Sequence, residues 1–298
     1  MVTVNGGYIK GGANYRANDN SNFFFNVGQI MRPPSFDGVF PNADYDFEEA
    51  DEILNESFTS FELGYGFRSS NFKGTINAYH TVWGDRTLRR STSIDDQGVR
   101  IIYSGVEQTH QGIEGEMTWY PSSRLRIKGM VSLGDWKYTK NFQGDAYFID
   151  NNQPAGTTGT LYLDGVKIGD AAQTVLYLGF DYKVSSKLSV DLDMMSYDNL
   201  HGRFGPLDSE FNSANNRGSI KLPSWGTADL GATYSFNLLG YDARARLNVN
   251  NLFDEEYLSQ SQTNFHNDGG RTWNGINVEN NVYFGKGTTW NLGLNINF

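Results

Sequence analysis

The chain has 298 residues, a formal net charge of -10 and a mean hydropathy of -0.51. Aromatic residues make up 14% of it, charged residues 19%, and Cys is absent. These values exclude a disordered chain, a bundle of membrane-spanning helices, a disulfide scaffold and a thiolate metal site. The acidic balance, with no basic patch in the sequence, argues against a nucleic-acid partner. Together, the composition and charge indicate an acidic β protein that is rich in Gly and aromatic residues.

Alternating apolar and polar residues predict eleven strands along the chain. In the last of them Trp290, Leu292, Leu294 and Ile296 alternate with Asn and Gly, so that one face is apolar and the other polar. The same period of two recurs upstream, and the predicted strands span residues 8–16, 22–32, 57–69, 71–83, 109–120, 124–136, 174–184, 187–195, 225–237, 240–251 and 288–298. Charged residues fall on the polar face only.

The polar face of the predicted strands carries two closely spaced carboxylate pairs, Asp191 with Asp193 and Glu114 with Glu116. Such pairs could carry out acid–base chemistry or bind calcium. Neighbouring strands, however, place basic residues on the same face, namely Arg126, Lys128, Arg244 and Arg246. We therefore favour a solvated wall of facing charges over a catalytic or calcium site.

The connections between the predicted strands alternate in length. Short turns fall at residues 17–21, 69–70, 121–123, 185–186 and 237–240, and the intervening connections are several times longer. Aromatic residues cluster at the short-turn ends: Tyr15, Phe23, Phe67, Phe72, Trp119, Tyr182, Phe236, Tyr241 and Phe298. Short turns on one side, long loops on the other and an aromatic girdle are typical of an antiparallel transmembrane β-barrel. A soluble β-sandwich is the less favoured alternative.

The number and ends of the strands predict that the chain is part of a larger protein. Single-chain bacterial barrels have an even number of strands and begin and end on the periplasmic side, whereas eleven is odd. The first five residues also lack the basic and apolar regions of a signal peptide. We therefore expect an odd number of further strands on the N-terminal side.

Four segments resemble, in the same order, motifs of TonB-dependent outer-membrane receptors. They are residues 28–36 (GQIMRPPSF), the Glu-Ser and Glu-Leu-Gly-Tyr of residues 56–65, residues 111–116 (QGIEGE) and residues 248–257 (NVNNLFDEEY). A final strand that ends on an aromatic residue follows the last motif. The resemblance covers nearly the whole chain, and the Gly- and Asn-rich sequence is similar to receptors of the Bacteroidetes type.

The resemblance implies a 22-strand barrel, of which residues 1–298 supply the C-terminal half without the N-terminal plug domain. It also implies a location in the outer membrane of a Gram-negative bacterium. The implied partners are the lipid bilayer, the N-terminal half with its plug, TonB, a small nutrient ligand and the barrel-assembly machinery, for which Phe298 is the expected signal. The implied function is TonB-dependent uptake of a ferric siderophore, haem, cobalamin, an oligosaccharide or a peptide.

Residues in two long loops are the candidate ligand contacts. Residues 142–170 contribute Tyr147, Phe148 and Tyr162, and the last long loop contributes Phe265, Arg271 and Trp273. Aromatic rings flanked by Asn, Asp and Gln suit sugar stacking or peptide capture, and they equally suit packing within a folded loop. The sequence leaves both roles open.

The sequence predicts no catalytic residue, metal ion or cofactor. The four histidines, at positions 80, 110, 201 and 266, lack metal-ligand spacing. His201 with Asp198 and Asp208 offers the one local trace of hydrolase chemistry. A passive porin-like channel and an outer-membrane hydrolase are therefore the alternatives to active uptake.

Overall fold

A computed structural model describes residues 3–40, 53–94, 96–157, 160–205 and 208–297. Strands dominate it: β1 (Gly7–Asn18), β2 (Ser21–Arg32), β3 (Glu56–Arg68), β4 (Phe72–Ile94), β5 (Gln97–Ser122), β6 (Leu125–Tyr138), β7 (Gly144–Phe148), β8 (Pro154–Thr157), β9 (Thr174–Lys183), β10 (Leu188–Asp198), β11 (Trp225–Leu238), β12 (Tyr241–Asn250), β13 (Leu258–Ser261), β14 (Thr272–Trp273), β15 (Ile276–Asn277), β16 (Val282–Phe284) and β17 (Thr289–Asn297). The helices are α1 (Phe36–Val39) and a 3-10 helix (Ser209–Asn212).

One antiparallel sheet of thirteen strands forms the body of the structure. Its main path runs β1-β2-β3-β4-β5-β6-β9-β10-β11-β12-β17, with β7 pairing on β5 and β8 on β7. The eleven strands of this path are the eleven that the sequence predicted. Among the described residues β1 pairs with β2 alone and β17 with β12 alone, so the sheet has two open edges.

The apolar face of the sheet is exposed. Ile9, Leu63 and Leu292 are 71%, 61% and 67% exposed, which would be unfavourable for side chains of this size in water. The opposite face carries the charged and Asn side chains, which bond to each other across the strands. This pattern of an apolar band backed by a polar wall is typical of a barrel strand between lipid and an aqueous lumen.

Short turns join neighbouring strands at one end of the sheet, as the sequence predicted. The turn between β11 and β12 consists of Leu239 and Gly240, both with positive φ, of 53° and 93°. A tight hairpin turn needs positive φ at both positions. The predicted girdle residues lie beside these turns, and Phe67 and Phe72 place their ring centroids 6.0 Å apart. Phe298 lies outside the described residues.

One predicted long loop is a strand pair instead. Residues 84–108, expected to connect two strands, extend β4 and β5 into a hairpin that closes between Ile94 and Gln97. The prediction was wrong because polar residues occupy both faces of the β4 extension. The extension of β5 does alternate, but its apolar side chains pack against β7 and the following loop rather than lipid.

Two hydrophobic cores hold the long connections together. The first cluster is formed by Val99, Ile101, Tyr103, Val106, Phe142, Ala146, Leu161, Leu163, Val166 and Phe211. The second cluster is formed by Leu200, Ile220, Leu222, Leu258 and Ile276. These connections are therefore folded bodies with buried interiors. Within the described residues, no helix is both long and apolar enough to cross a membrane.

Candidate functional site

The polar face of β6, β9 and β10 carries a chain of ion pairs. Arg126 donates to Asp181 through Nε at 2.9 Å. Lys128 lies 3.4 Å from Asp181 and 3.1 Å from Asp193, and the hydroxyl of Tyr177 donates to Asp193. Asp193 thus meets a cation on a neighbouring strand, as a solvated wall requires, whereas Glu114 of the other carboxylate pair accepts a hydrogen bond from the Ser132 hydroxyl.

A second ion pair continues the wall toward β12. Arg246 donates to both carboxylate oxygens of Asp191, with Nη2 2.8 Å from Oδ2. Its Nε donates to Asn248 at 2.7 Å, and Asn248 donates in turn to Asn291 on β17 at 2.8 Å. Ion pairs therefore occupy the middle of the wall, and the amides of Asn248 and Asn291 lie next to the open edge at β17.

A third group, which we call the rim cluster, lies where the polar face meets the long connections. It consists of Arg32, Glu56, Phe58, Trp83 and Arg86. The rings of Phe58 and Trp83 stack with centroids 4.9 Å apart, and the guanidinium carbon of Arg86 lies 3.7 Å from the Trp83 ring centroid. Glu56 accepts hydrogen bonds from Arg32 and from Trp83 Nε1. The rim cluster therefore combines two cations, one anion and an aromatic stack.

Aromatic and polar side chains of β4, β5 and β6 continue the polar face beside the rim cluster. Trp136 Nε1 donates to the hydroxyl of Tyr79 at 2.8 Å. The ring of His110 lies 5.5 Å from that of Trp136, and its Nε2 is buried without a hydrogen-bond partner among the described residues. Sequence reasoning missed both this group and the rim cluster, because the contacts that form them run between strands and are not visible in the pattern of any one strand.

The first three candidate ligand contacts lie around the first cluster. Tyr147 is on β7, where the guanidinium of the buried Arg100 lies 5.8 Å from its ring centroid. Phe148 packs against the cluster itself. Tyr162 bonds through its backbone to Phe211 and Asn216. All three residues are half-buried, and of the three only Phe148 packs on the first cluster.

The other three candidates lie in the last long connection and do not meet the first three. Phe265 is 51% exposed, and its backbone is fixed by Asn280, which bonds to both its N–H and its carbonyl. Arg271 is exposed. Trp273 packs against the second cluster with its ring edge on Phe284, 5.1 Å away between centroids. The six candidates thus form two separate groups.

A stack of three aromatic rings joins the last long connection to the sheet. Trp225 lies between Tyr197 and Tyr257, with ring centroids 4.0 Å and 3.8 Å away. Gly285 makes room for this arrangement, because a Cβ there would lie 1.9 Å from the Tyr257 ring. Tyr257 is the last residue of the NVNNLFDEEY motif, but its position in the stack depends on partners that only the fold brings together.

His201 and Asp198, two residues of the possible hydrolase group, make structural contacts in the fold. His201 Nδ1 lies 3.2 Å from the Ser219 hydroxyl, but that hydroxyl is buried and donates to the carbonyl of Lys167 at 2.9 Å. Asp198 pairs with Lys221 at 2.8 Å rather than with His201. This arrangement closes the connection between β10 and β11. Among the described residues, no group of three or more His, Asp or Glu side chains is placed to hold a metal ion.

Solved structures similar to this fold include receptors and transporters. The ferric-catecholate import receptor Fiu of E. coli K12 superposes with a TM-score of 0.63 at 16% identity, over 97% of this chain and 34% of that one. The siderophore receptor PiuA of Acinetobacter baumannii gives 0.64 at 15%, over 96% and 35%. The iron transporter FrpB of Neisseria meningitidis gives 0.61 at 15%, over 96% and 38%. The chain thus spans about a third of the length of these proteins.

The family assignment rests on the sequence match. No curated protein matches the chain, and the resemblance to receptors of the Bacteroidetes type stays a prediction. The family model described as "TonB dependent receptor-like, beta-barrel" matches residues 6–252, most of the chain. With the fold in agreement, the chain belongs to the family of TonB-dependent receptor β-barrels.

Proposed function

We propose that this chain forms the C-terminal part of the barrel wall and the external ligand-binding loops of a TonB-dependent receptor. The receptor takes up a scarce nutrient across the outer membrane of a Gram-negative bacterium and catalyses no reaction on it. The observation that supports this most strongly is the antiparallel sheet with its exposed apolar face and its internally paired polar face. A wall between lipid and an aqueous passage needs both.

The rest of such a receptor would meet this chain at its open edges. Unpaired backbone groups in lipid cost several kcal/mol each, so the outer edges of β1 and β17 require further strands. We assign these strands to the N-terminal half of the same barrel, which also carries the plug and the segment that engages TonB. The bilayer covers the apolar face, and the barrel-assembly machinery inserts the protein.

A ferric siderophore is the substrate class that we favour. The similar structures are named as a ferric-catecholate import receptor, a siderophore receptor and an iron transporter. Haem, cobalamin, oligosaccharides and peptides are the other candidates for the family. Phe265 and Arg271 are the proposed first contacts. Both side chains are exposed, and hydrogen bonds within the last long connection hold the backbone of each residue.

Uptake of a labelled nutrient by cells tests this proposal. A deletion strain that expresses the full receptor should accumulate iron-55 from a ferric siderophore under iron limitation, and a protonophore or loss of TonB should abolish the accumulation. A passive channel would continue to admit the compound after either treatment. Release of a chemically altered product would instead indicate a hydrolase. Uptake that persists without TonB would therefore refute active transport.

Two loop substitutions test the ligand contacts. Phe265→Ala and Arg271→Ala should each weaken substrate binding about tenfold, since a well-placed ring or charge contributes about 1–2 kcal/mol to such contacts. Phe253→Ala, which removes a ring 77% exposed in the same connection, should leave binding unchanged. Equal effects at positions 253 and 265 would contradict the assignment.

A further inference from the structure

Arg86 owes its place in the rim cluster to a β-bulge. Trp83 pairs with Gln108 and Arg86 with Val106, so β4 has one more residue in this interval than β5. In a regular strand, side chains three positions apart point to opposite faces. The extra residue turns Arg86 to the face of Trp83, so that the guanidinium lies on the indole ring.

The bulge is held by a strained residue and its partner. Asp85 has a φ of 57°, a left-handed conformation that is unfavourable for a residue other than Gly. The Ser57 hydroxyl of β3 donates to the Asp85 carboxylate at 2.8 Å. The neighbouring strand β3 thus holds the bulge in place. Bulges beside functional sites commonly redirect a side chain, as this one redirects Arg86.

The rim cluster contains two positive charges, on Arg32 and Arg86, and one negative charge, on Glu56. Glu56, whose side chain is 9% exposed, pairs with Arg32, and the guanidinium carbon of Arg32 lies 5.9 Å from the Trp83 ring centroid. Among the described residues, no carboxylate oxygen lies within 4.0 Å of Arg86, and no acceptor forms a hydrogen bond with its side chain. Two guanidinium groups therefore lie near one indole ring, and the cluster's single carboxylate pairs with only one of them.

A half-buried guanidinium without an acceptor is unfavourable, because folding removes water from it and supplies no hydrogen bond in return. His110 lies close enough to Arg86 to interact with its charge, and its buried Nε2 also has no partner in the described part of the chain. Polar groups on β4 and β5 thus both lack partners among the described residues, and an external anion would supply an acceptor to Arg86.

We propose that the rim cluster is a binding subsite for a small molecule that carries anionic oxygen atoms on a planar body. Arg86 and the exposed side of Arg32 bind the carboxylate or phenolate oxygens, and the ring stack of Trp83 and Phe58 packs against the planar part. This inference rests on the proposed function, and it narrows the favoured substrate class from ferric siderophores of any charge to anionic chelates with a planar part. Neutral sugars and cationic complexes leave the excess charge unmatched.

Calorimetric titration of the full receptor in detergent tests the subsite with three probes. These are the anionic ferric complex of 2,3-dihydroxybenzoate, anionic ferric citrate and the cationic complex ferrioxamine B. The wild-type receptor should bind the catecholate complex, which has planar rings, more tightly than ferric citrate, and should bind the cation weakest. Arg86→Met keeps the apolar stem and should weaken binding of the anionic probes about tenfold or more, the range of a lost charge-assisted hydrogen bond.

Two further variants separate charge from folding. Arg86→Lys restores the positive charge and should recover part of the affinity for both anions. Arg68→Met removes an exposed cation at the short-turn end of the same face and should change nothing. Wild-type binding by Arg86→Met, equal losses for anionic and cationic probes, or no binding of either anion to the wild type would each overturn the subsite.

The subsite and the proposed function fail in different ways. Energy-dependent uptake that is unaffected by Arg86→Met would preserve active transport and refute the subsite. Anion binding that depends on Arg86, in a receptor whose uptake survives loss of TonB, would preserve the subsite and refute active transport.

Discussion

Asp191 on β10 and Arg246 on β12 pair across β11, which lies between their strands. The pair forms because β11 has Gly231 at this level, where a Cβ would lie 2.2 Å from both Arg246 Nη2 and Asp191 Oδ2. A side chain missing from one strand thus lets two charges meet over it. The contact connects three strands of the wall through side chains as well as through backbone hydrogen bonds.

Gly231→Ala should separate this pair and lower the free energy of unfolding by about 1 kcal/mol. The effect is modest because the Arg246 side chain is 37% exposed and water screens the interaction. The temperature at which the full receptor loses its heat-modifiable gel mobility measures the change. Gly293→Ala is the matched control, since Gly293 lies opposite Arg246 on β17 with nothing within 4 Å of an added Cβ. Identical transitions for the two variants would contradict the prediction.

Adjacent lysine substitutions on β6 should distinguish the two faces of the sheet. Val131 pairs with Gly115 and Leu176 on the apolar face, so Val131→Lys should cost about 2–4 kcal/mol in lipid and reduce assembly. Ser132 faces the polar side, 3.4 Å from Glu114, so Ser132→Lys gains an opposite charge and should assemble normally. The amount of heat-modifiable receptor in outer-membrane fractions decides the matter. Comparable assembly of both variants would mean that the faces are assigned incorrectly.

Gly285→Ala should release the last long connection from the sheet. An added methyl group would overlap the Tyr257 ring, so the ring must leave its stack on Trp225. Limited proteolysis of the intact receptor should then cut within residues 258–284 faster than in the wild type. Gly270→Ala, where an added Cβ meets nothing within 4 Å, should keep the wild-type rate. Unchanged cleavage of the Gly285 variant would show that the stack does not anchor this connection.

Acid should loosen the connection between β10 and β11. Burial lowers the pKa of His201 below its ordinary value of 6.5, and the nearby Lys167 and Lys221 lower it further. His201 therefore binds a proton more readily when the connection is open than when it is folded. Its contribution to the stability of the folded connection is complete above about pH 6.5 and is lost as the pH falls below that value.

Hydrogen exchange of two amides reports on this opening. The Gly202 amide donates to Ile220 and the Leu222 amide to Leu200, both at 2.8 Å. Their protection, corrected for intrinsic exchange, should decrease between pH 7.5 and pH 5.5. His201→Gln removes the titrating group and should make protection independent of pH in this interval. A wild-type protein with constant protection would refute the role of His201.

Alternation predicted all eleven wall strands because the two faces of each strand meet different surroundings. That rule fails where a strand leaves the lipid, and residues 84–94 of β4 give no apolar face to recognise. It fails again at Arg86, since a period of two places this residue opposite Trp83 and the bulge reverses the assignment. Backbone irregularities of one residue leave no trace in a hydrophobic pattern.

The candidate ligand contacts were identified by residue type alone, which could not separate binding from packing. Phe148 and Trp273 pack on the two loop cores, whereas Phe265 stays open. The difference depends on partners such as Phe284, which pairing of β13 with β16 brings close. Ligand contact for these residues and the assembly role of Phe298 stay predictions.

The length of the β4–β5 hairpin constrains the order in which the proposed receptor is built. The hairpin tip, with Arg86 and Arg100 behind it, must pass through the bilayer before the strands reach their final positions. Val99, Ile101 and Tyr103 find their neighbours from β7 and Phe142 only on the far side. Once that interior closes, withdrawal of the hairpin would mean unfolding a packed body. In the proposed receptor, the free energy gained by packing this external core therefore opposes retraction of the translocated hairpin.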